Sequence, residues 1–531
     1  MFFYIAASLA LVPVLVVSFF LYLFSKECIN RLLYSTRAKR HGCADLPTRP
    51  SAYILGIGSI LRVIKADQEH KVPNFFENLQ KEMGVNTWKQ WIMGDMQMWT
   101  TEPRNIQALL ATQFKDFELG PTRRNNFFPM LGNGIFTADG QMWEHSRALL
   151  RPQFARDQVG DLELEEKHVQ HMFRHLVPDS TGWTSEVNLQ PLFFRLTLDS
   201  ATEFLFGQSV YAQLSSLPAT NDEKAPQQHL SNSVGLDLSE FAVAFDRSTH
   251  NLGKRVRYGD QYWLHNPAQF SKDNAVVHQF ADYYVNLALK TDMAEYEKRG
   301  RYVFLVELVK ATQDPVELRS QLLNILLAGR DTTAGLLGWA FFLFARHTDV
   351  FTKLRATILE TFGTYDQPRN ISFATLKSCS YLQHVLNETL RLYPMVPLNS
   401  RRAIHDTTLP LGGGPTGTSP IFVPSGTQVD YSVHVMHRRT DLWGPDALLF
   451  RPERWQSRKV SWEFLPFNGG PRICIGQQFA LTEAGYVIVR MLQRFDKIEN
   501  LDDTDENDAL HQYSLTTAPW RVPLKLRVGS T

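Results

Sequence analysis

The chain has 531 residues, 44% hydrophobic, and its 55 Lys+Arg against 54 Asp+Glu leave a formal net charge of +1. That balance gives no global basic field for nucleic acid, and 12% aromatic content excludes a disordered acidic interaction tail. Four cysteines (Cys28, Cys43, Cys379, Cys474), with no CxxC pair, exclude a disulfide scaffold and structural zinc, and leave a free Cys to serve as nucleophile or soft metal ligand. Length alone sets a soft prior of three or four domains at roughly 150 residues each, although a single large domain can bury its core without disulfides.

Phe2 to Phe24 is an uncharged run rich in Phe, Leu, Val and Ala. As a helix it spans roughly 35 Å, enough for one bilayer core with some tilt. A cleavable signal peptide is the alternative. The missing basic n-region and a run longer than the usual ~7–15 residues argue against it. Lys26, Arg31, Arg37, Lys39 and Arg40 then outweigh Glu27, which keeps this flank cytosolic by the positive-inside rule. The expected organisation is a transmembrane anchor over 2–24, a basic and Pro/Gly hinge over 25–58, and one catalytic domain over 59–531. A single-pass anchor in the endoplasmic reticulum membrane, with the catalytic domain cytosolic, follows.

Helix signals dominate the remainder. Trp143 to Leu150, Val316 to Arg346, Phe373 to Leu392 and Gln477 to Phe495 repeat apolar residues at helical spacing. Asp314-Pro315 supplies an N-cap and first position for the second of these, which would run about 30 residues or roughly 45 Å. Strand-like pieces are short: Met98 to Thr100, Ile421 to Val423, Gln428 to Ser432 and Val522 to Leu526. Leu214 to Leu230 reads as a polar surface loop. The fold class is mainly α with a minor β-sheet region.

Four patterns carry chemistry. Trp143 and Arg147 share a helix face at i,i+4, which alone suggests a stacked surface pair. Ala328-Gly329-Arg330-Asp331-Thr332-Thr333 puts Gly, an acid and hydroxyls inside a helix, where they cost stability; it is either a kink packed by small residues or a functional spot. Glu388 and Arg391 can pair at i,i+3 as an ordinary solvated pair, and Phe450-Arg451-Pro452-Glu453-Arg454-Trp455 follows. Phe467-Asn468-Gly469-Gly470-Pro471-Arg472-Ile473-Cys474-Ile475-Gly476 runs straight into a helix. Its glycines admit a flat ligand close to the backbone, and the helix start favours an anionic sulfur. A structural Cys in a Gly-rich turn is the alternative.

The pattern F-x-x-G-x-R-x-C-x-G over Phe467–Gly476 resembles the haem-binding loop of cytochrome P450, and the resemblance extends from about Leu46 onward. More narrowly, the chain resembles the fungal alkane and fatty-acid hydroxylase branch. The segments behind this are Trp143–Ala148, Arg151–Arg156, Ala328–Ala334, Asn387–Pro394, Thr408–Gly414 and Arg472–Leu481. The resemblance implies a P450 fold with haem b held by the Cys474 thiolate as axial metal ligand. Trp143, Arg147, Arg401, Phe467, Arg472 and Gly476 would bind the cofactor, with Arg402 leaving the Arg401 assignment open by one position. Asp331 and Thr332 would be catalytic, Thr332 hydrogen-bonding dioxygen or a water and Asp331 relaying protons. Glu388, Arg391 and Arg454 would form a buried scaffold triad. His434 and His437 would be structural.

The implied reaction inserts one oxygen atom from O2 into a C–H bond of a hydrophobic aliphatic substrate, by ω-hydroxylation of a fatty acid or alkane. Tailoring of a fungal secondary metabolite (polyketide, terpenoid or lipopeptide) is the alternative. A haem sensor without turnover, a peroxide isomerase or dehydratase and a Cys hydrolase are the rivals from other classes. No GxGxxG or flavin-binding region is present, so an NADPH-dependent flavoprotein reductase must supply electrons, with Arg438, Arg439, Arg458 and Lys459 as a basic docking surface or a merely solvated cluster. Substrate would be met by Leu119–Phe136, Ala201–Phe245, the long helix near Leu327, Pro397–Ser400 and Leu515–Ala518. Arg123-Arg124 would lie at the channel mouth or simply be solvated.

Overall fold

The computed structural model describes residues 2–50, 54–154, 162–217, 237–290 and 302–529, with side chains from Pro13 onward except Ile54. Ala155 and Arg156, and most of the polar loop expected over 214–230, lie outside the described residues. The chain divides into two units: Met1–Glu118, Leu398–Met436 and Gly469–Arg472 form the first, and Leu119–Pro397, His437–Asn468 and Ile473–Thr531 the second.

In the first unit the N-terminal helix runs unbroken from Phe2 to Arg40, through the basic residues that follow the apolar run. Its second half docks on a sheet: Lys26 meets Asp95 at 2.8 Å, Asn30 donates to the Gly94 carbonyl at 3.1 Å, and Arg37 pairs with Asp406. Tyr34 and Ala38 are buried there, whereas Val14 to Val17, Phe19 to Tyr22 and Phe24 are exposed. The segment Pro13–Arg40 is long and apolar enough to cross a membrane by length and composition. The sheet has five strands in the order Thr87–Ile92, Asp95–Thr100, Gln428–Ser432, Leu398–Ala403, Phe117–Glu118. Asp95–Thr100 pairs parallel with Gln428–Ser432 and every other pairing is antiparallel. Positive φ at Met93 and Gly94 closes the first hairpin in two residues.

The second unit is helical and built around one rod. Pro315–Arg346 is a 32-residue helix whose Asp314 cap accepts from the Val316 and Glu317 N–H groups, as its sequence predicts. Its N-terminal half packs Leu318 to Leu327 into one apolar cluster, with Phe241, Phe245, Phe280 and Phe304. Its C-terminal half packs Ala334 to Ala345 into another, with Phe193, Leu386, Tyr486 and Leu492. Residues 328–333 fall between the two clusters. The segment is therefore a polar break in an otherwise apolar rod. At Gly338 an added Cβ would come within 1.7 Å of Gln190 Oε1, so a larger residue would require the Gln190 side chain on the helix Leu189–Phe206 to shift. A three-stranded sheet (Val187–Asn188, Pro523–Val528, Phe495–Asn500) and the hairpin His511–Tyr513/Thr517–Pro519 complete the unit.

The periodicity over Phe373–Leu392 predicts one helix, and the structure has two. Phe373–Ser378, closed by a Ser372–Thr375 capping box, ends where Cys379 turns extended (ψ 90°), and Ser380–Leu392 starts anew. Trp339 shows how tightly the second cluster is set. It is fully buried and stacked on Tyr393 at 3.9 Å with a 6° interplanar angle. Trp339→Ala should lower stability by about 3–5 kcal/mol, read as a fall in the urea midpoint with little change in slope.

Candidate active site

Cys474 lies in the loop between Pro452–Gln456 and the helix Gln477–Arg494. Two positive-φ residues, Asn468 (63°) and Gly470 (67°), bend that loop. A Cβ on Gly470 would come within 1.8 Å of the Leu110 carbonyl oxygen, so space and dihedral both require glycine. The Cys474 N–H donates to the Phe467 carbonyl at 3.0 Å, which pins the base of the turn. The cysteine is accessible to solvent yet closely surrounded by protein. Burial pushes its thiol up, and the Gly476 N–H and the Arg147 charge pull it down without offsetting that rise. The helix start alone therefore does not ionise this sulfur. A bound cation would.

Arg147, on the helix Gly140–Leu150, donates Nη1 to the Ile473 carbonyl at 3.0 Å, tying that helix to the residue before the cysteine. Its guanidinium lies 5.8 Å from the ring of buried Trp143. In the first unit Arg401 is buried, donates to the Ser400 carbonyl at 2.7 Å, and keeps an Nε without a partner. Arg402 instead donates to the Gly426 carbonyl at 3.0 Å at the surface. Of the two, Arg401 has the buried, unspent donor that suits a ligand carboxylate. Arg472 ends the short turn Gly470–Arg472 in the same unit.

In the long helix, every residue from Ser320 to Ala345 is buried except Ala328, Gly329 and Thr332. These three share one face, at i, i+1 and i+4. A Cβ built on Gly329 meets nothing within 4 Å. The first turn of the C-terminal helix is open in the same way: 474–481 are half-buried or exposed, whereas 482–493 are buried. Within the second unit, a soft thiol donor and a helix face carrying only Ala, Gly and Thr fit the haem that the resemblance implies. Thr332 donates to the Ala328 carbonyl at 2.7 Å, and Asp331 is held by Arg330 Nη1 at 2.7 Å. Acid and alcohol are thus each engaged elsewhere. Burial raises the Asp331 carboxyl above its ordinary range, against the pull of Arg330.

Glu388, Arg391 and Arg454 meet in the interior. Glu388 Oε1 accepts from Arg391 Nη2 (2.9 Å), Arg454 Nε (3.2 Å) and the Arg451 N–H (3.1 Å). Its Oε2 accepts from Arg391 Nε (2.9 Å) and Trp455 Nε1 (2.9 Å). Arg391 also donates to the carbonyls of His437, Ala447 and Leu449, and Arg454 pairs with Asp446 at 3.0 Å. His437 accepts the Leu465 N–H on Nε2, so its Nδ1 is the protonated nitrogen and donates to the Arg391 carbonyl at 3.1 Å. Both ring nitrogens are thereby occupied.

Of the basic surface expected from Arg438, Arg439, Arg458 and Lys459, only Lys459 stays exposed. Arg438 is buried and donates to the Leu392 carbonyl, Arg439 pairs with Asp441, and Arg458 lies 4.1 Å over Trp443 while donating to the Leu442 carbonyl. A run of adjacent cations in sequence says nothing of the carbonyls that a tight loop turns toward them. The apolar walls are closer to expectation: Phe127, Met130, Leu131, Ala201, Phe204, Phe241, Phe245 and Leu327 belong to one cluster, with Ile475 and Leu515 packed on it. Leu398 packs instead in the first unit, near Trp88 and Trp99. Arg123 lies over Phe127 at 5.1 Å. Sequence reasoning missed Asp246 and left Arg330, Arg451 and Trp455 without a role. An Arg inside the run LLAGRDTTAGLL was the one available signal, since a buried cation in a helix interior needs a partner.

A family model described as Cytochrome P450 matches residues 49–525. Among curated proteins, the chain is similar to cytochrome P450 monooxygenase g430 of Fusarium sp, with 49% identity over 94% of this chain and 87% of that protein. It is also similar to cytochrome P450 monooxygenase alt2 of Alternaria solani, at 44% identity over 95% of each. Cytochrome P450 52A3-B of Candida maltosa is 48% identical over 88% of this chain and 89% of that protein.

Proposed function

The chain belongs to the cytochrome P450 family and is a cytochrome P450 monooxygenase, and from that premise we propose that it is anchored in the endoplasmic reticulum membrane and hydroxylates the terminal region of a long aliphatic fatty acid or alkane. The anchor is the helix segment in which Val14 to Val17, Phe19 to Tyr22 and Phe24 stay exposed. Such a face is stable in lipid and unfavourable in water. The basic residues after it keep one catalytic domain on the cytosolic side.

The family implies haem-thiolate chemistry, O2, a redox partner and a hydrophobic substrate. In this chain the Cys474 thiolate would hold the cofactor's iron, and Trp143, Arg147, Arg401, Phe467, Arg472 and Gly476 would bind the cofactor. The cofactor, when bound, activates O2 and supplies the oxidising power, with electrons from an NADPH-dependent flavoprotein reductase. The residues do the rest. Half-buried Arg147 and buried Arg401 each bring a positive charge that suits a carboxylate of the cofactor. Ala328 and Gly329 leave the approach clear, and the Thr332 hydroxyl, released from Ala328, offers a proton at Oγ1. Asp331 holds the proton that refills it, and burial raises its proton affinity in the direction that a donor needs. The surrounding apolar cluster excludes water and accepts an alkyl chain. Glu388, Arg391 and Arg454 act only as scaffold.

The observation that supports the substrate class is that cluster, in which Phe127, Met130, Leu131, Ala201, Phe204, Phe241, Phe245 and Leu327 pack together. Microsomes containing the chain and its reductase should convert fatty acids or alkanes of about 12–18 carbons to terminal alcohols with NADPH and O2. Turnover of a functionalised ring metabolite with none of an aliphatic chain would overturn the substrate class. Peroxide conversion without NADPH would overturn the reaction. Thr332→Ala should keep NADPH consumption but divert much of it to peroxide, by roughly tenfold in the product ratio, the loss typical of removing one proton-transfer group being at least 10²-fold in rate.

A further inference from the structure

At the polar break of the long helix, one guanidinium is shared between two carboxylates that come from different depths. Arg330 donates Nη1 to Asp331 Oδ1 at 2.7 Å, and its Nη2 lies 2.5 Å from Asp246 Oδ1. Asp331 is 5% exposed by its side chain, whereas Asp246, on the helix Leu238–Arg257, is 55% exposed. The guanidinium sits 4.5 Å over the Phe194 ring and 6.0 Å from that of Phe245, an aromatic slot that shields the charge without fixing which carboxylate takes it. Its Nε has no partner. The Arg330 backbone is itself fixed, because Thr197 donates to its carbonyl at 2.8 Å. One cation thus serves two anions, and only the side chain is free to divide itself between them.

We propose that Arg330 is a positioning residue for Asp331, through which the charge of Asp246 at the protein surface governs how readily the Asp331 carboxyl is protonated and released toward Thr332. The inference rests on the roles proposed above for Asp331 and Thr332. Its signs follow from electrostatics. An uncharged residue at 246 leaves the guanidinium wholly to Asp331 and removes a nearby like charge, so the Asp331 carboxylate is favoured. An uncharged residue at 330 leaves Asp331 buried beside Asp246, so its protonated form is favoured. The two variants should move the same carboxyl in opposite directions, which loss of packing alone would not do. Other facing charges stay constant in both. Arg195, on Leu189–Phe206, lies in the field of Asp246 and Asp199. On Ala268–Leu289, Asp282 pairs with Arg319 at 2.8 Å, about three turns before Asp331. From Leu162–Phe173 and Gln477–Arg494, Glu165 and Glu483 both meet Ser200.

Infrared titration of the full chain in detergent tests this without turnover, with Asp331→Asn assigning the carboxyl band. Asp246→Asn should lower the Asp331 midpoint by about one pH unit, a tenfold change in proton affinity, and Arg330→Gln should raise it. Asp246→Glu should restore the parent midpoint. In reconstituted microsomes the alkaline limb of product formation should move down with the midpoint in Asp246→Asn. An Asp331 midpoint that stays put or rises in Asp246→Asn overturns the proposal, whether or not Arg330→Gln folds. A shifted midpoint with an unmoved product profile leaves the coupling in place and overturns the catalytic role of Asp331 instead.

Discussion

Cys474→Ala is expected to abolish the thiolate-haem absorbance of the reduced, carbon monoxide-treated protein, and NADPH-dependent product with it. The loop that presents Cys474 is over-determined: a Cys474 N–H bond to Phe467, positive φ at Asn468 and Gly470, and Arg147 bonded to the Ile473 carbonyl all fix where one side chain points. No other sulfur can replace it. Cys43 and Cys379 are buried elsewhere, Cys28 is exposed on the N-terminal helix, and among the described residues no group of three His, Cys, Asp or Glu offers another metal site. The substitution removes one solvent-accessible sulfur, so the chain should still fold. Circular dichroism close to the parent's would separate loss of the ligand from loss of the protein. Cys28→Ala serves as the control and should keep both band and product. Retention of the band and activity in Cys474→Ala would sink the proposed ligand assignment.

Much of the site was legible because its signals are local. The polar break of the long helix can be read from Gly329, Asp331 and Thr332 standing in an apolar run, and the structure places that break between two separate core clusters. The cysteine loop can be read from its glycines, and the Asp314 cap from Asp-Pro. Pairing of Glu388 with Arg391 follows from i,i+3 spacing, but whether such a pair is solvated or buried does not, because that depends on chain 50 to 70 residues away. The donors from Arg451, Arg454 and Trp455 reach Glu388 through tertiary folding alone. Arg438 shows the same limit in reverse, as its carbonyl partner Leu392 lies 46 positions earlier. The break at Cys379 was illegible for a different reason. No Gly or Pro marks it, and the apolar period continues across it while the backbone does not.

Glu388→Gln should be nearly as damaging as Glu388→Ala, and the hydrogen-bond count explains why. All five groups that reach the carboxylate are donors, three to Oε1 and two to Oε2. An amide keeps the shape but turns one oxygen into an NH2. In either rotamer that NH2 faces at least two N–H groups it cannot accept. The charge balance fails as well. Glu388 and Asp446 offset Arg391 and Arg454, so removing one carboxylate leaves a buried guanidinium uncompensated. Burial already pushes the Arg391 guanidinium down, with Glu388 the main opposing influence. Removing one partner of a buried pair costs about 3–5 kcal/mol, a large part of a typical 5–15 kcal/mol of total stability. The network joins Ser380–Leu392 to Pro452–Gln456, and the chain runs from there into the Cys474 loop. Both variants should therefore lose haem incorporation as well as stability, measured as the absorbance ratio of haem to protein after purification and as the urea midpoint. Arg391→Lys should recover little of either, because one ammonium cannot supply the Nε and Nη2 pair to Glu388 together with the Nη1 bonds to His437 and Ala447. A Glu388→Gln protein with the parent's haem content and urea midpoint would show that the carboxylate's charge and acceptor pattern are dispensable.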